Sequence, residues 1–228
     1  MQVTQQDPQT ATNPLHSTRT PENGKRSVLP RIILVLGALV IALVWFTRDQ
    51  QASESLPPLP RIAKVPSFSL TRQDGRTITP DDLTGSVWVA DFIFTRCAGP
   101  CPQLTLRMRS LQKGIAEFGG AVKLVSFSVD PTHDQPPVLR GYAKRYGAKP
   151  DLWWFLTCDD QPMMYELVKS GFLQALSEAK GSAPIIHSTR FVLVDQRGNI
   201  RAWYDGLDPS SKALIIRDAK RLLAESPR

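Results

Sequence analysis

The pattern of hydrophobic and polar positions changes character twice along the chain. The first thirty residues hold few large apolar side chains, whereas residues 32–47 are uncharged and almost wholly apolar. From about residue 62 onward, short apolar runs alternate with segments of helical periodicity. This pattern predicts a disordered cytoplasmic leader over 1–30, a transmembrane anchor over 31–48, a Pro-rich linker over 49–61 and one domain over 62–228.

The apolar stretch 32–47 predicts a single membrane-spanning helix. It would cover roughly 24 Å, slightly less than a hydrocarbon core of ~30 Å, and Arg31 and Arg48 can reach the two surfaces. A buried core helix would need a polar face that this stretch lacks, and a cleaved signal peptide is the other alternative. Basic residues are denser before the stretch, which places the N-terminus inside the cytoplasmic membrane and the domain on the periplasmic side, if the organism is bacterial.

Strand-like and helix-like segments alternate within the domain. Strands are predicted at Val87–Phe94, Val122–Val129, Leu152–Leu156, Arg190–Asp195 and Ile200–Tyr204. Helices are predicted at Pro102–Phe118, Pro137–Tyr146, Met163–Phe172 and from Ser210 through Leu223. This order is typical of an α/β fold with a central mixed sheet, helices on both faces and a C-terminal hairpin. The preceding Leu56–Pro60 predicts a stiff, extended spacer.

The chain is basic, with a net charge of +7 and a pI near 9.5. The basic residues are scattered and form no run of five, so solvated surface explains them better than a nucleic-acid partner does. The sequence also contains neither a GxGxxG segment nor a Walker phosphate loop, which leaves a nucleotide-dependent enzyme without support.

Two cysteines, Cys97 and Cys101, stand between the strand Val87–Phe94 and a helical segment. This junction lies at the carboxyl end of a sheet, where α/β folds expose their chemistry, and the start of a helix stabilises a thiolate over a thiol. Two thiolates separated by a Gly-Pro turn can close a disulfide or bind one soft metal ion. A local structural disulfide is the alternative, although so small a loop adds little stability.

Further residues are candidates for the same site. His187 lies directly before a strand and is either a polar turn residue or a metal ligand. Asp130 either orients His187 or an active-site arginine, or caps its own Asp-Pro turn. Cys158 ends another strand and is either a small buried side chain or a free thiol that resolves a disulfide or binds metal. His133 fits an exposed loop, and His16 belongs to the leader.

Taken together, these residues resemble the SCO/SenC family of membrane-anchored, thioredoxin-like copper proteins over roughly residues 62 to 225. The resemblance rests on the segments Cys97-Ala98-Gly99-Pro100-Cys101-Pro102, Ser128-Val129-Asp130-Pro131, and His187 four residues before Phe191-Val192-Leu193-Val194. It implies a thioredoxin-like fold and one copper ion, Cu(I) or Cu(II), bound by Cys97, Cys101 and His187, with Asp130 near the site. It also implies that the protein delivers copper to the binuclear centre of cytochrome c oxidase, or reduces the cysteines of that centre beforehand. The partner would then be the copper-centre subunit of that oxidase or another periplasmic cuproprotein.

Two other functions compete with this interpretation. A thiol–disulfide oxidoreductase usually has a CxxC pair and a cis-proline, whereas this chain has CxxxC and carries Ser188 where that proline is expected. A thiol peroxidase needs a threonine three residues before its reactive cysteine, and Phe94 stands there instead. Two thiolates and one imidazole suit Cu(I), and the imidazole also tolerates Cu(II). Oxidation of the pair would remove both sulfur ligands, so redox state and copper loading exclude each other.

Overall fold

The computed structural model describes residues 29–54, 56–174 and 188–225 and divides the chain into two compact units, 1–55 and 56–228. In the first unit, helix α1 spans Leu29–Glu54, and its side chains are described from residue 33 to residue 46, all of them exposed. Among the residues that the structure describes, no helix is both long and apolar enough to cross a membrane. The predicted leader lies outside the described residues except for its last two, which begin α1.

The second unit is built on one mixed, eight-stranded sheet in the order β1-β8-β7-β4-β5-β6-β2-β3. Its strands are β1 Ala63–Lys64, β2 Leu70–Arg72, β3 Thr77–Ile78, β4 Val87–Ile93, β5 Val122–Ser128, β6 Trp153–Thr157, β7 Arg190–Val194 and β8 Asn199–Asp205. The neighbours β4, β5 and β6 run parallel, while β7 pairs antiparallel with β4. The carboxyl ends of the three parallel strands and the start of β7 therefore meet at one edge.

Helices flank this sheet, as the alternating pattern predicted. They are α2 Cys101–Ile115, α3 Pro136–Tyr146, α4 Gln161–Glu166 and α5 Ser211–Ala224. The predicted helix Met163–Phe172 differs most from the structure, because a π-helical turn at Leu167–Gly171 replaces its second half. That turn is followed by Leu173, which has a positive φ of 54°. A 3.6-residue period does not reveal a change to i→i+5 bonding.

The core lies on both faces of β4, whose seven residues are all buried. Its continuous apolar run correctly predicted a strand covered on both sides. An aromatic cluster fills the space around it: the rings of Phe92 and Phe172 are 5.2 Å apart, and those of Phe127 and Phe172 are 5.0 Å apart. Burial of each phenyl ring contributes roughly 1.5–3 kcal/mol, so this cluster stabilises the packing around β4.

The segment Leu56–Pro60, predicted as a stiff and extended spacer, is hydrogen-bonded to the rest of the second unit. Arg201 donates from Nε and Nη2 to two carbonyls of this segment, at 3.0 and 2.6 Å, and Arg221 donates to two others. Asp195 and Glu225 hold the Arg201 guanidinium at 2.9 and 2.8 Å. Arg201 is buried, and these contacts satisfy donors that would otherwise be costly to bury.

Candidate metal and thiol centre

The cysteine pair lies at the sheet edge where the parallel strands end. Cys97 sits in the turn after β4, where its backbone N–H donates to the Phe94 carbonyl at 3.2 Å. Cys101 is the first residue of α2, with Pro102 in the first turn. Both thiols are free and buried, with exposed fractions of 8% for Cys97 and 3% for Cys101. The sequence therefore placed the pair correctly at a strand-to-helix junction.

The protonation of Cys101 differs from the expectation for a cysteine at the start of a helix. Burial raises the pKa of its thiol far above the ordinary value, and the adjacent Cys97 thiol raises it further. The cost of burying a thiolate thus exceeds the stabilisation that the helix N-terminus provides. Without a bound ion, Cys101 is a thiol at neutral pH.

Asp91, in the middle of β4, is a candidate functional residue that the sequence analysis missed. Its side chain is fully buried, and burial raises its pKa to about 7. Ser126 Oγ donates to its Oδ1 at 2.5 Å, but its Oδ2 has no hydrogen-bond partner among the described residues. The charge of Asp91 also contributes to raising the pKa of Cys101. A carboxylate inside an apolar strand was the signal, and the overall run of hydrophobic residues obscured it.

Asp130 follows β5 at the same edge and pairs with an arginine beside the cysteines. Arg96 donates to Asp130 Oδ2 from Nε at 3.0 Å and from Nη2 at 2.6 Å. The Arg96 side chain is 61% exposed, whereas that of Asp130 is 18% exposed. Of the alternatives open for Asp130, the described residues show contact with an arginine next to Cys97.

A second aspartate on the β5–α3 connection, Asp134, holds the turn that leads into Cys97. Its buried carboxylate accepts from the Thr95 backbone N–H at 2.9 Å, the Thr95 hydroxyl at 2.5 Å and the Ser128 hydroxyl at 2.6 Å. These three bonds join the ends of β4 and β5 across the site. Asp134 was not predicted from the sequence, because the Thr95 donors that give it a role are distant in sequence.

The other predicted residues lie in different situations. His187 is outside the described residues. The described residues on either side of its segment are hydrogen-bonded to each other, because Ser188 Oγ donates to Gln174 Oε1 at 2.5 Å. Ser188 leads into β7, which starts at the edge where β4 ends. Cys158 is buried after β6, donates to the Asp160 carbonyl at 3.0 Å, and has a pKa raised by burial. His133 is exposed. Within the described ranges, no cluster of three or more His, Cys, Asp or Glu side chains is arranged to hold a metal ion.

A mixed sheet flanked by helices, with a buried dithiol after its central strand, defines a thioredoxin-like domain with a thiol or metal centre. The chain belongs to the SCO1/SenC family, which matches residues 58–224. The SCO1 protein homolog of Bacillus subtilis is 36% identical over 157 residues, which cover 69% of this chain and 81% of that protein. The resemblance seen in the sequence is thereby confirmed.

Solved structures agree with this membership. BsSco, described as a member of the Sco family of cytochrome c oxidase assembly proteins with a disulfide switch, is 34% identical. It covers 75% of this chain and 99% of its own, with a TM-score of 0.67. Copper-bound ScoI from Bradyrhizobium japonicum, 22% identical with a TM-score of 0.59, covers 71% of this chain and all of its own and shares the fold.

Proposed function

We propose that this protein binds one copper ion through Cys97, Cys101 and His187 and passes it to the binuclear copper centre of cytochrome c oxidase. The observation that carries the proposal is the pair of adjacent, free thiols where the parallel strands of a thioredoxin-like sheet end. Family membership and the copper-bound relative of the same fold support it. Two thiolates and an imidazole form a donor set that suits copper, which here is the cargo.

Copper binding and release should depend on the protonation of Cys101 and on the redox state of the cysteine pair. Because burial raises the pKa of Cys101, binding an ion to its sulfur requires its proton to leave. When a disulfide of the partner protein oxidises the two thiols, the Cys97–Cys101 disulfide forms, the partner's disulfide is reduced to two thiols by the two electrons and two protons, and both sulfur ligands are lost. The same pair can therefore act as a thiol–disulfide oxidoreductase on the oxidase's cysteines, which is the second candidate function.

Copper stoichiometry and affinity of the reduced full chain, kept in mild detergent, test the ligand set. We expect the natural protein to bind one copper ion tightly. Cys97→Ser and His187→Ala should each weaken copper binding at least about a hundredfold, because loss of a residue that only hydrogen-bonds to a ligand already weakens binding about 10–100-fold. Cys158→Ser and His133→Ala are the matched controls and should leave the affinity unchanged. Unchanged affinity in His187→Ala would refute the three-ligand site, and absence of stoichiometric copper would favour the oxidoreductase function.

We also propose, from the apolar sequence of residues 31–48, that this stretch anchors the protein in the cytoplasmic membrane in a single pass, with the N-terminus inside and the domain on the periplasmic side. Support comes from the exposed, uncharged side chains of residues 33–46, which need an apolar environment. After alkaline washing of membranes, the full chain should stay in the pellet, and a C-terminal reporter that is active only in the periplasm should be active. Recovery of the full chain in the wash would contradict the anchor.

A further inference from the structure

A cleft of about 330 Å³ opens beside the cysteine turn, between Arg96 and helix α3. Its lining includes Arg96, His133, Val138, Gly141, Tyr142 and Arg145. Tyr142 donates to Thr105 Oγ1 at 2.8 Å, and Thr105 donates to the Cys101 carbonyl at 2.8 Å. One wall of the cleft is thus bonded to the first turn of α2, and another is the residue before Cys97.

The charge of the cleft is one-sided. The charged side chains that line it, Arg96 and Arg145, are both basic, and none of the described lining residues is acidic. Arg96 uses Nε and Nη2 on one Asp130 oxygen, while Arg145 takes part in none of the ion pairs between described residues. Helix α3 adds Arg140 and Lys144 and carries no acidic residue. Such a concave surface attracts a carboxylate group.

The shape of the cleft suits an inserted side chain. Gly141 lies in the interior of α3, and a Cβ atom built on it would meet nothing within 4 Å. The space above this glycine is therefore open, next to the apolar surfaces of Val138 and Tyr142. A volume of about 330 Å³ is near the lower end of the range for ligand sites and large enough for one or two side chains.

We propose that this cleft binds an acidic segment of the partner protein that the dithiol serves. A carboxylate bonded to Arg96 or Arg145 would hold the partner against the residue that precedes Cys97, within reach of the cysteine turn. The concave shape of the cleft and its position beside the dithiol favour a protein segment over an anionic lipid surface. The proposal rests on the proposed function to the extent that Cys97 and Cys101 act on another protein.

Binding of a short, fluorescently labelled, glutamate-rich peptide to the reduced full chain tests the proposal, with its glutamine counterpart as the control probe. We expect Arg145→Gln to weaken binding about tenfold, the factor that corresponds to ~1.4 kcal/mol. Gly141→Leu should weaken it at least as much, because a Cβ at this position meets nothing within 4 Å, the longer side chain takes up room in the cleft, and leucine favours the helix. Lys220→Gln, which removes one exposed charge on α5, should have no effect.

The outcomes separate this surface from the proposed function, because copper stoichiometry is measured on the same samples. Loss of peptide binding in Arg145→Gln and Gly141→Leu, with copper binding intact, supports the cleft. Equal peptide binding by all variants would overturn it, as would binding to phosphatidylglycerol vesicles but not to the peptide. If copper does not bind while the peptide pattern holds, the metal function fails and the acidic-segment site stands.

Discussion

The Asp91→Asn variant should be less stable than the natural protein at acidic pH and more stable than it at alkaline pH. Burial raises the pKa of Asp91 from an ordinary 3.8 to about 7. Between these values the unfolded chain releases the proton while the folded protein keeps it, so the free energy of unfolding falls as pH rises and levels off above pH 7. About three pH units at 1.36 kcal/mol each give a loss on the order of 4 kcal/mol between pH 4 and pH 8.

The asparagine of the Asp91→Asn variant would not titrate, but its amide carries two N–H donors where the protonated carboxyl carries one O–H, so one more buried donor lacks an acceptor. An unsatisfied buried donor costs about 1–3 kcal/mol at every pH. The variant should therefore be less stable than the natural protein at about pH 4 and more stable, by about 1–3 kcal/mol, at about pH 8. Both proteins contain the same other titratable groups, so the contributions of those groups cancel in the difference between the two free energies of unfolding.

Urea unfolding of the reduced, metal-free full chain measures this difference across the pH range. Tryptophan fluorescence is a suitable signal because Trp153 Nε1 donates to Ser126 Oγ, which in turn donates to Asp91. Val89→Ala, in the same buried strand, is the control and should lower stability by a similar amount at every pH. A stability difference for Asp91→Asn that does not change with pH would refute the assignment of a proton to this carboxyl group.

Two other predictions concern the contacts that hold the ends of the sheet. Asp134→Ala leaves the donors of Thr95 unpaired, so the unfolding free energy should fall by about 1–3 kcal/mol. Cys97 should also be alkylated faster, and an unchanged alkylation rate would contradict the positioning role of Asp134. Arg201→Met removes one partner of a buried ion pair and should also cost about 3–5 kcal/mol in urea unfolding. Lys220→Met, an exposed change, should stay within about 0.5 kcal/mol, and a similarly small effect at Arg201 would show that its bonds do not stabilise the domain.

The sequence predicts the longer elements well because their hydrophobic patterns are local. The predicted strand Val87–Phe94 is observed as Val87–Ile93, and Arg190–Asp195 is observed as Arg190–Val194. Strands β1, β2 and β3 are two or three residues long, too short for any periodicity. They exist because they pair with β8, with β6 and with each other, which no local pattern reveals.

The residues of the candidate site were likewise predicted where their signal is local and missed where it is not. Cys97 and Cys101 were predicted because cysteine is a soft and reactive residue type, and both cysteines stand at a strand-to-helix junction that the hydrophobic pattern reveals. Asp91 and Asp134 were missed because their roles come from burial and from distant partners. The raised pKa of Cys101 was missed for a related reason, since a helix start is visible in the sequence and the depth of burial is not. His187 stays a prediction, because it lies outside the described residues.

The bonds from Arg201 and Arg221 to Leu56–Pro60 have a mechanical consequence. Arg201 follows Ile200, which pairs with Val194 at the end of β7, and that strand end lies beside the start of β4. The chain is therefore clamped at the sheet edge opposite the cysteine turn. A pull arriving from the N-terminal side loads these guanidinium–carbonyl bonds and α5 first, so the dithiol is isolated from tension and keeps its geometry while the clamp holds.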